Sequence, residues 1–374
     1  MKFVFFGINL LFSLASFAQT DPETENIFII TTDGFRWQEV FTGADSTLIH
    51  DSRYVSDPSL IQQMYWDPSP EIRRKKLMPF LWTTIATQGQ LYGNRLFQNK
   101  VNVANAYKIS YPGYNEMLTG YADPVFIPNI PVRNRNINIL EYLNSRKEYA
   151  GKVAAFSSWN IFSAILNKKR NHFPINSGYE ETPGAVSINN EMINETQNEV
   201  QNKTHTRYDL LTFLSAREYI EKNNPRVVLI GFGETDEFAH CGRYDLYLQQ
   251  AANVDKMIAE FWYYIQSDPH YRNKTTFIVT TDHGRGKNPS AWHNHGPLTK
   301  GSGETWFALI GPGIAPNGEM KSIQQHFQKQ IASTIALLMG EPFDPAACKP
   351  NAILFQRTPE YQTAFLKETF TLSK

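Results

Sequence analysis

The pair Asp282-His283 follows the apolar run Thr276-Phe277-Ile278-Val279-Thr280 and is closed by Gly284. A carboxylate oxygen beside an imidazole nitrogen is a donor set for a divalent cation of borderline softness, Zn²⁺ or Mn²⁺. Taken alone, the tripeptide reads as readily as a polar turn. Its weight comes from two further apolar runs that end in the same way. Asn26 to Thr32 stops at Asp33-Gly34, and Arg226 to Phe232 runs into Gly233-Glu234-Thr235-Asp236, with His240 four positions beyond Asp236. That spacing puts both side chains on one face of a helical turn. His293 and His295 follow downstream, and Ser110 stands two residues ahead of Pro112. Proline is excluded from helix interiors but suits a first turn. A helix is therefore expected from Tyr114 to Leu118, with the Ser110 hydroxyl just ahead of it, near free N–H groups and the positive end of the dipole.

The set comprises three carboxylates, up to four imidazoles and one hydroxyl. Two Zn²⁺ ions need about that many donors, whereas one structural zinc needs four and usually takes thiolates. Paired cations suit in-line displacement at phosphorus, one assisting the attacking oxygen and the other the leaving oxygen. A serine hydroxyl is a poor nucleophile at neutral pH without a base or a metal. In that company Ser110 is the candidate attacking group.

The elements that must position these residues are buried strands alternating with helices. Strands are expected at Asn26 to Thr32, Lys152 to Phe156, Arg226 to Phe232, Thr276 to Thr280 and Trp306 to Ile310, with short ones between Leu91 and Val103. Helical spacing marks Met78 to Ile85, Ile137 to Leu143, Tyr208 to Ile220, Tyr244 to Ile265 and a closing Gln324 to Met339. Residues 42 to 75 read as polar and irregular. Residues 167 to 205, rich in Asn, Glu and Thr, read as an insertion or cap. The alternation implies an α/β sandwich with a mostly parallel sheet, and ligands in such sheets gather where strands end.

Over the whole chain of 374 residues, Lys+Arg and Asp+Glu both number 36, so no basic field recruits nucleic-acid duplexes. Aromatic residues make up 13%, which suits a packed globule with an aromatic-lined cleft and excludes disorder. Met1-Lys2, the apolar run Phe3 to Phe17 and the small-x-small pattern Ala15-Ser16-Phe17-Ala18 read as a cleavable signal peptide over residues 1–18. The run is short for a stable membrane span. A secreted or periplasmic protein is expected, with 19–374 forming one catalytic domain. Cys241 and Cys348 do not make a disulfide framework, and a free or merely packed Cys241 thiol is expected.

In their order, strand-Asp33-Gly34, Ser110-x-Pro112 at a helix start, Asp236-x3-His240, Asp282-His283-Gly284 and His295-Gly296 resemble the alkaline phosphatase superfamily. The similarity is to its nucleotide pyrophosphatase/phosphodiesterase and cofactor-independent phosphoglycerate mutase branches. The resemblance implies a three-layer sandwich with a mostly parallel central sheet flanked by helices. It also implies one cation held by Asp33, Ser110, Asp282 and His283, and a second held by Asp236, His240 and His295, with His293 as the alternate to His295. It implies an asparagine about twenty residues past the nucleophile on the phosphoryl oxygen, a place given to Asn134 with Asn129 as alternate. Tyr114 stands where the sulfatase branch needs arginine to mature its nucleophile, which argues against that route.

The leading expectation is an exported two-cation hydrolase of small phosphate esters acting through a phosphoserine at Ser110. Backbone N–H groups after Ser110, and Asn134, would steady the phosphoryl oxygens. Lys108, Tyr111 and Tyr114 are the expected substrate contacts, and Phe35, Trp37 and Trp292 add aromatic surface that favours a diester or a bulky ester. The alternatives are an alkaline phosphatase-type monoesterase, a sulfatase-like hydrolase, or a metal-bearing protein that binds glycans or phosphorylated polymer without turnover. Such a binder would tolerate Ser110→Ala.

Overall fold

The computed structural model describes residues 24–184, 187–343, 352–353 and 355–358. The signal-peptide reading and Cys348 fall outside these residues. Eleven strands are present among them: β1 (Asn26–Thr32), β2 (Gln90–Tyr92), β3 (Asn99–Asn102), β4 (Val153–Ser157), β5 (Ile175–Ser177), β6 (Val227–Phe232), β7 (Thr275–Thr280), β8 (Glu304–Thr305), β9 (Phe307–Ile310), β10 (Gly318–Glu319) and β11 (Gln324–Phe327). Eight form one sheet in the order β10-β2-β9-β7-β1-β6-β4-β5, and β11-β3-β8 form a second, smaller sheet. In the large sheet only β9 runs against the rest, pairing antiparallel with β2 and β7.

Every residue of β1, β6 and β7 is buried, as expected for strands covered by helices on both faces. Alternate side chains divide the core. Phe28 and Ile30 point into one apolar layer with helix Tyr244–Ser267, while Ile27 and Ile29 point into the other with helices Ser110–Thr119, Ile139–Ser145 and Gln330–Leu338. The result is the three-layer α/β sandwich. β1 lies between β7 and β6, all parallel, so the three runs that end in candidate ligands discharge side by side at one edge.

The structure departs from the sequence reading in four places. Residues 42–75, expected to be irregular, contain the helices Ser46–Ile49, Pro58–Tyr65 and Pro70–Leu77, each opened by an Asp45, Asp57 or Ser69 side chain that accepts from first-turn N–H groups. Gln324 to Phe327 is strand rather than the start of the closing helix, because it completes the small sheet beside β3. Met78 to Ile85 is helical from Pro79 on, with a π-helical turn over Leu81–Ile85. The stretch 167–205 is not wholly an excursion, since Ile175–Ser177 is the edge strand of the main sheet, paired with β4. Its helix Ile188–Glu199 has Ser187 bonded to Glu218 of the helix Asp209–Asn223. Among the described residues no helix is long and apolar enough to cross a membrane.

Candidate active site

Asp33 leaves the end of β1, Asp282 and His283 the end of β7, and Asp236 and His240 lie on the helix Glu234–His240 that follows β6. Two groups of potential cation ligands result, Asp33-Asp236-His283 and Asp236-His240-His295, with donor atoms inside each group within 4.8 Å of one another. Asp236 belongs to both. Its Oδ2 lies 3.1 Å from His240 Nε2, and its Oδ1 lies 3.9 Å from His283 Nε2 and 3.8 Å from His295 Nε2. His240 and His295 face each other, Nε2 to Nε2, at 3.0 Å. Asp282 Oδ2 lies 3.5 Å from His283 Nε2.

Tight turns make this convergence possible. Gly34 has φ +58°, and a Cβ there would lie 2.8 Å from Asp236 Oδ1. Its N–H donates to Asp282 Oδ1 at 3.0 Å, which ties the end of β1 to that of β7. Gly113 lets the Ser110 helix touch the β7 loop, since a Cβ there would stand 2.5 Å from the Asp282 carbonyl oxygen.

The donor chemistry fits divalent cations. Asp282 Oδ2 is buried with no hydrogen-bond partner, which is costly for a carboxylate oxygen without a counter-charge. Burial, followed by the neighbouring Asp282 charge, pushes the Asp33 carboxyl up to about 8, and burial pushes Asp282 up to about 7. A cation between them would reverse that pressure. Burial holds His283 below its usual range and His295 well below it, a direction that favours the neutral ring a cation requires. His283 Nδ1 is 2.9 Å from the Gly284 carbonyl and His295 Nδ1 is 3.4 Å from the Lys108 carbonyl. A carbonyl can only accept, so Nδ1 carries the proton in each ring and the Nε2 lone pair faces the centre.

Ser110 is the first residue of its helix, which begins ahead of the Tyr114 start expected from sequence, with Pro112 in the first turn. Its Oγ lies 3.2 Å from His283 Nε2 and 3.5 Å from Asp33 Oδ1. The loop leading to it is shaped by a residue that sequence reading passed over. Glu116, fully buried, accepts from Ala104 and Asn105 N–H and from the Asn105 amide, and Asn105 Oδ1 in turn accepts from Tyr107 and Lys108 N–H. This bends Lys108 into the left-handed region at φ 54°.

Several expected contacts are placed elsewhere. Asn134 is buried in a network of its own, donating to Asn115 Oδ1 at 2.9 Å and accepting from Asn136 N–H at 3.0 Å, and its amide makes no bond to Ser110. Asn129 stands there instead, donating to Ser110 Oγ at 3.4 Å and accepting from Tyr111 N–H at 2.9 Å. That bond occupies the Tyr111 N–H, Pro112 has none, and Gly113 N–H goes to the Ile109 carbonyl. The N–H groups just after Ser110 therefore do not form a phosphoryl cradle. Tyr111 is buried with its hydroxyl on the Val132 carbonyl. Tyr114 is buried too, and its hydroxyl reaches Asp33 Oδ2 at 3.2 Å, so it meets a candidate ligand rather than substrate. Phe35 and Trp292 are core residues, and the Trp37 indole donates to Glu304 at 3.0 Å. His293 belongs to neither ligand group among the described residues. Its ring packs against Tyr54 with centroids 5.9 Å apart. Lys108 is half-buried, and its ammonium has no hydrogen bond or ion pair among the described residues. Cys241 is exposed and, among the described residues, free.

Comparison with known proteins agrees with this architecture. Residues 50–331 match the family described as Type I phosphodiesterase / nucleotide pyrophosphatase; Asp33 and β1 lie before the matched span. No curated protein matches the chain. Among solved structures, the lipoteichoic acid synthase LtaP of Listeria monocytogenes aligns with TM-score 0.55 at 12% identity over 86% of this chain and 73% of its own. Alkaline phosphatase PafA aligns at 0.55 and 11% identity over 89% and 98%. Human ectonucleotide pyrophosphatase / phosphodiesterase 5 aligns at 0.53 and 12% over 87% and 97%. At these identities the likeness speaks for the fold, and the family match covers most of the chain. The chain belongs to the type I phosphodiesterase / nucleotide pyrophosphatase family of the alkaline phosphatase superfamily and is a hydrolase of phosphate esters.

Proposed function

We propose that the chain is an exported hydrolase that transfers the phosphoryl group of its substrate to Ser110 and then to water, with a preference for diesters or esters bearing a bulky apolar group. One observation carries this reading. The Ser110 hydroxyl opens a ten-residue helix beside the Asp33, His283 and Asn129 side chains, where an attacking oxygen is held. Asp33, Ser110, Asp282 and His283 would hold one divalent cation, and Asp236, His240 and His295 a second, Zn²⁺ being the best match to these donors. Bound cations would supply Lewis acidity at the attacking and leaving oxygens.

The remaining work falls to this chain's own groups. Ser110 Oγ forms a bond to phosphorus as the bond to the ester oxygen breaks in line; the serine proton passes to solvent and the leaving oxygen takes one from it. Water then replaces Ser110 at phosphorus and restores the hydroxyl. The Asn129 amide, already directed at Ser110 Oγ, is the donor for a phosphoryl oxygen. Support for a diester or bulky ester now comes from a different element than the sequence suggested. The loop that carries Asn129 exposes Val125, Phe126 and Ile130, and Phe126 packs on Tyr107 with ring centroids 4.8 Å apart. The unpaired Lys108 ammonium pulls the other way, toward the extra charge of a monoester.

The test is release of nitrophenolate from an aryl phosphate monoester, the corresponding diester and an aryl sulfate, side by side with added Zn²⁺. The expected order is diester above monoester, with sulfate at background. A monoester rate above the diester rate would reassign the chain to the phosphatases.

A further inference from the structure

Arg285 is fully buried, and its guanidinium reaches all three ligand-bearing loops at once. Nε donates to the Gly34 carbonyl after β1 at 3.1 Å, Nη1 to the His293 carbonyl in the loop after β7 at 2.5 Å, and Nη2 to the Asp236 carbonyl after β6 at 3.3 Å. Nη2 also donates to Asp236 Oδ1, the carboxylate oxygen that faces His283 and His295. The arrangement is reciprocal, because the equally buried Arg36, three residues past Asp33, donates from Nη1 to the Gly286 carbonyl at 3.1 Å and is itself neutralised by Glu39.

We infer that Arg285 is a positioning residue that assigns Asp236 to one cation only. Asp236 is the one residue common to both ligand groups. With Oδ1 held by the guanidinium fork, Oδ2 is left 3.1 Å from His240, which belongs only to the Asp236-His240-His295 group, and the carboxylate is set for that group through Oδ2. The other group then relies on Asp33, Ser110, Asp282 and His283. Only a planar fork with fixed donor directions can span these acceptors together; a lysine ammonium at this position would keep the charge and lose the geometry. Such outer contacts commonly govern metal affinity by about 10–100-fold. The inference rests on the two-cation reading above.

The experiment is zinc retention, measured as metal per chain by elemental analysis after dialysis against graded chelator, with folding followed by tryptophan fluorescence. Wild type should hold two ions. In Arg285→Lys and Arg285→Met one ion should leave at roughly 10–100-fold lower chelator strength, while the second leaves at the wild-type strength. Asp282→Asn should weaken the other ion instead. Retention of both ions at wild-type strength in Arg285→Lys would show that charge rather than position matters and would overturn the inference. So would tighter binding, or loss of both ions together from a folded variant. Should Arg285→Met not fold, Arg285→Lys decides alone. A wild-type chain holding fewer than two ions would instead overturn the two-cation reading, a distinct outcome.

Discussion

Tyr114 shows how a single side chain changes role between sequence and structure. Its position beside Ser110-Tyr111-Pro112 suggested a substrate contact, yet the ring packs edge-on against Phe162 with centroids 4.5 Å apart, and the hydroxyl bridges Thr31 Oγ1 and Asp33 Oδ2. Burial, with Asp33 nearby, drives the phenol well above its usual range, so it stays a donor. Tyr114→Phe keeps the packing and removes that donor from Asp33. Zinc affinity should fall by about tenfold or more, read by chelator titration, with KM for substrate little changed; a raised KM at unaltered metal affinity would return Tyr114 to the substrate side. Asn129 and Asn134 were both candidates for the phosphoryl oxygen, and nothing in spacing alone separates them. Their hydrogen-bond partners do, because the Asn134 amide is engaged with Asn115 and Asn136 whereas that of Asn129 donates to Ser110 Oγ.

At the scale of elements, the site depends on how closely the Ser110 helix meets the end of β7. Gly113→Ala would set a methyl 2.5 Å from the Asp282 carbonyl oxygen, so the helix must shift. The expected cost is about 1–3 kcal/mol in stability and, since small misplacements of reacting groups are expensive, a fall in kcat of roughly 10–100-fold. Thermal unfolding and steady-state kinetics read the two effects separately. Away from the site, Asp255 on helix Tyr244–Ser267 accepts the Phe80 and Leu81 N–H groups at 2.7 and 2.9 Å. Burial raises its carboxyl to about 7, against a pull downward from those two bonds. A folded pKa above the unfolded one means that the folded chain binds the extra proton. The resulting stability is present below the unfolded value near 3.8 and is lost as pH rises toward 7. Asp255→Asn cannot ionise, so its stability relative to wild type should rise between pH 4 and 7, as denaturant titration at several pH values would show. A parallel pH dependence in the two proteins would contradict it.

Over the whole molecule, what was legible in the sequence follows a physical divide. β1, β6 and β7 were readable with their ligand-bearing ends, because buried parallel strands are continuous β-branched runs that stop abruptly in polar residues. The helices of residues 42–75 were missed because they are short, four to eight residues each, although Asp57-Pro58 and Ser69-Pro70 carried a cap-plus-proline signal for two of the three. The Arg285 fork was not readable, since it joins loops far apart in the chain, and Glu116 was not, since a lone acidic residue on a helix gives no sign that it turns inward to the Ala104–Asn105 loop. The reversed direction of β9 was likewise invisible, because an apolar run does not announce which way it pairs. At every scale the chemistry turns on Ser110. The most direct measurement is mass analysis of the Ser110-bearing peptide after acid quench during turnover of an aryl phosphate ester, alongside Ser110→Ala with its zinc content determined. A phosphoryl group on that peptide is expected in wild type, and a variant that retains metal but loses turnover. Near-full turnover in Ser110→Ala, or a phosphoryl group on another residue, would contradict it.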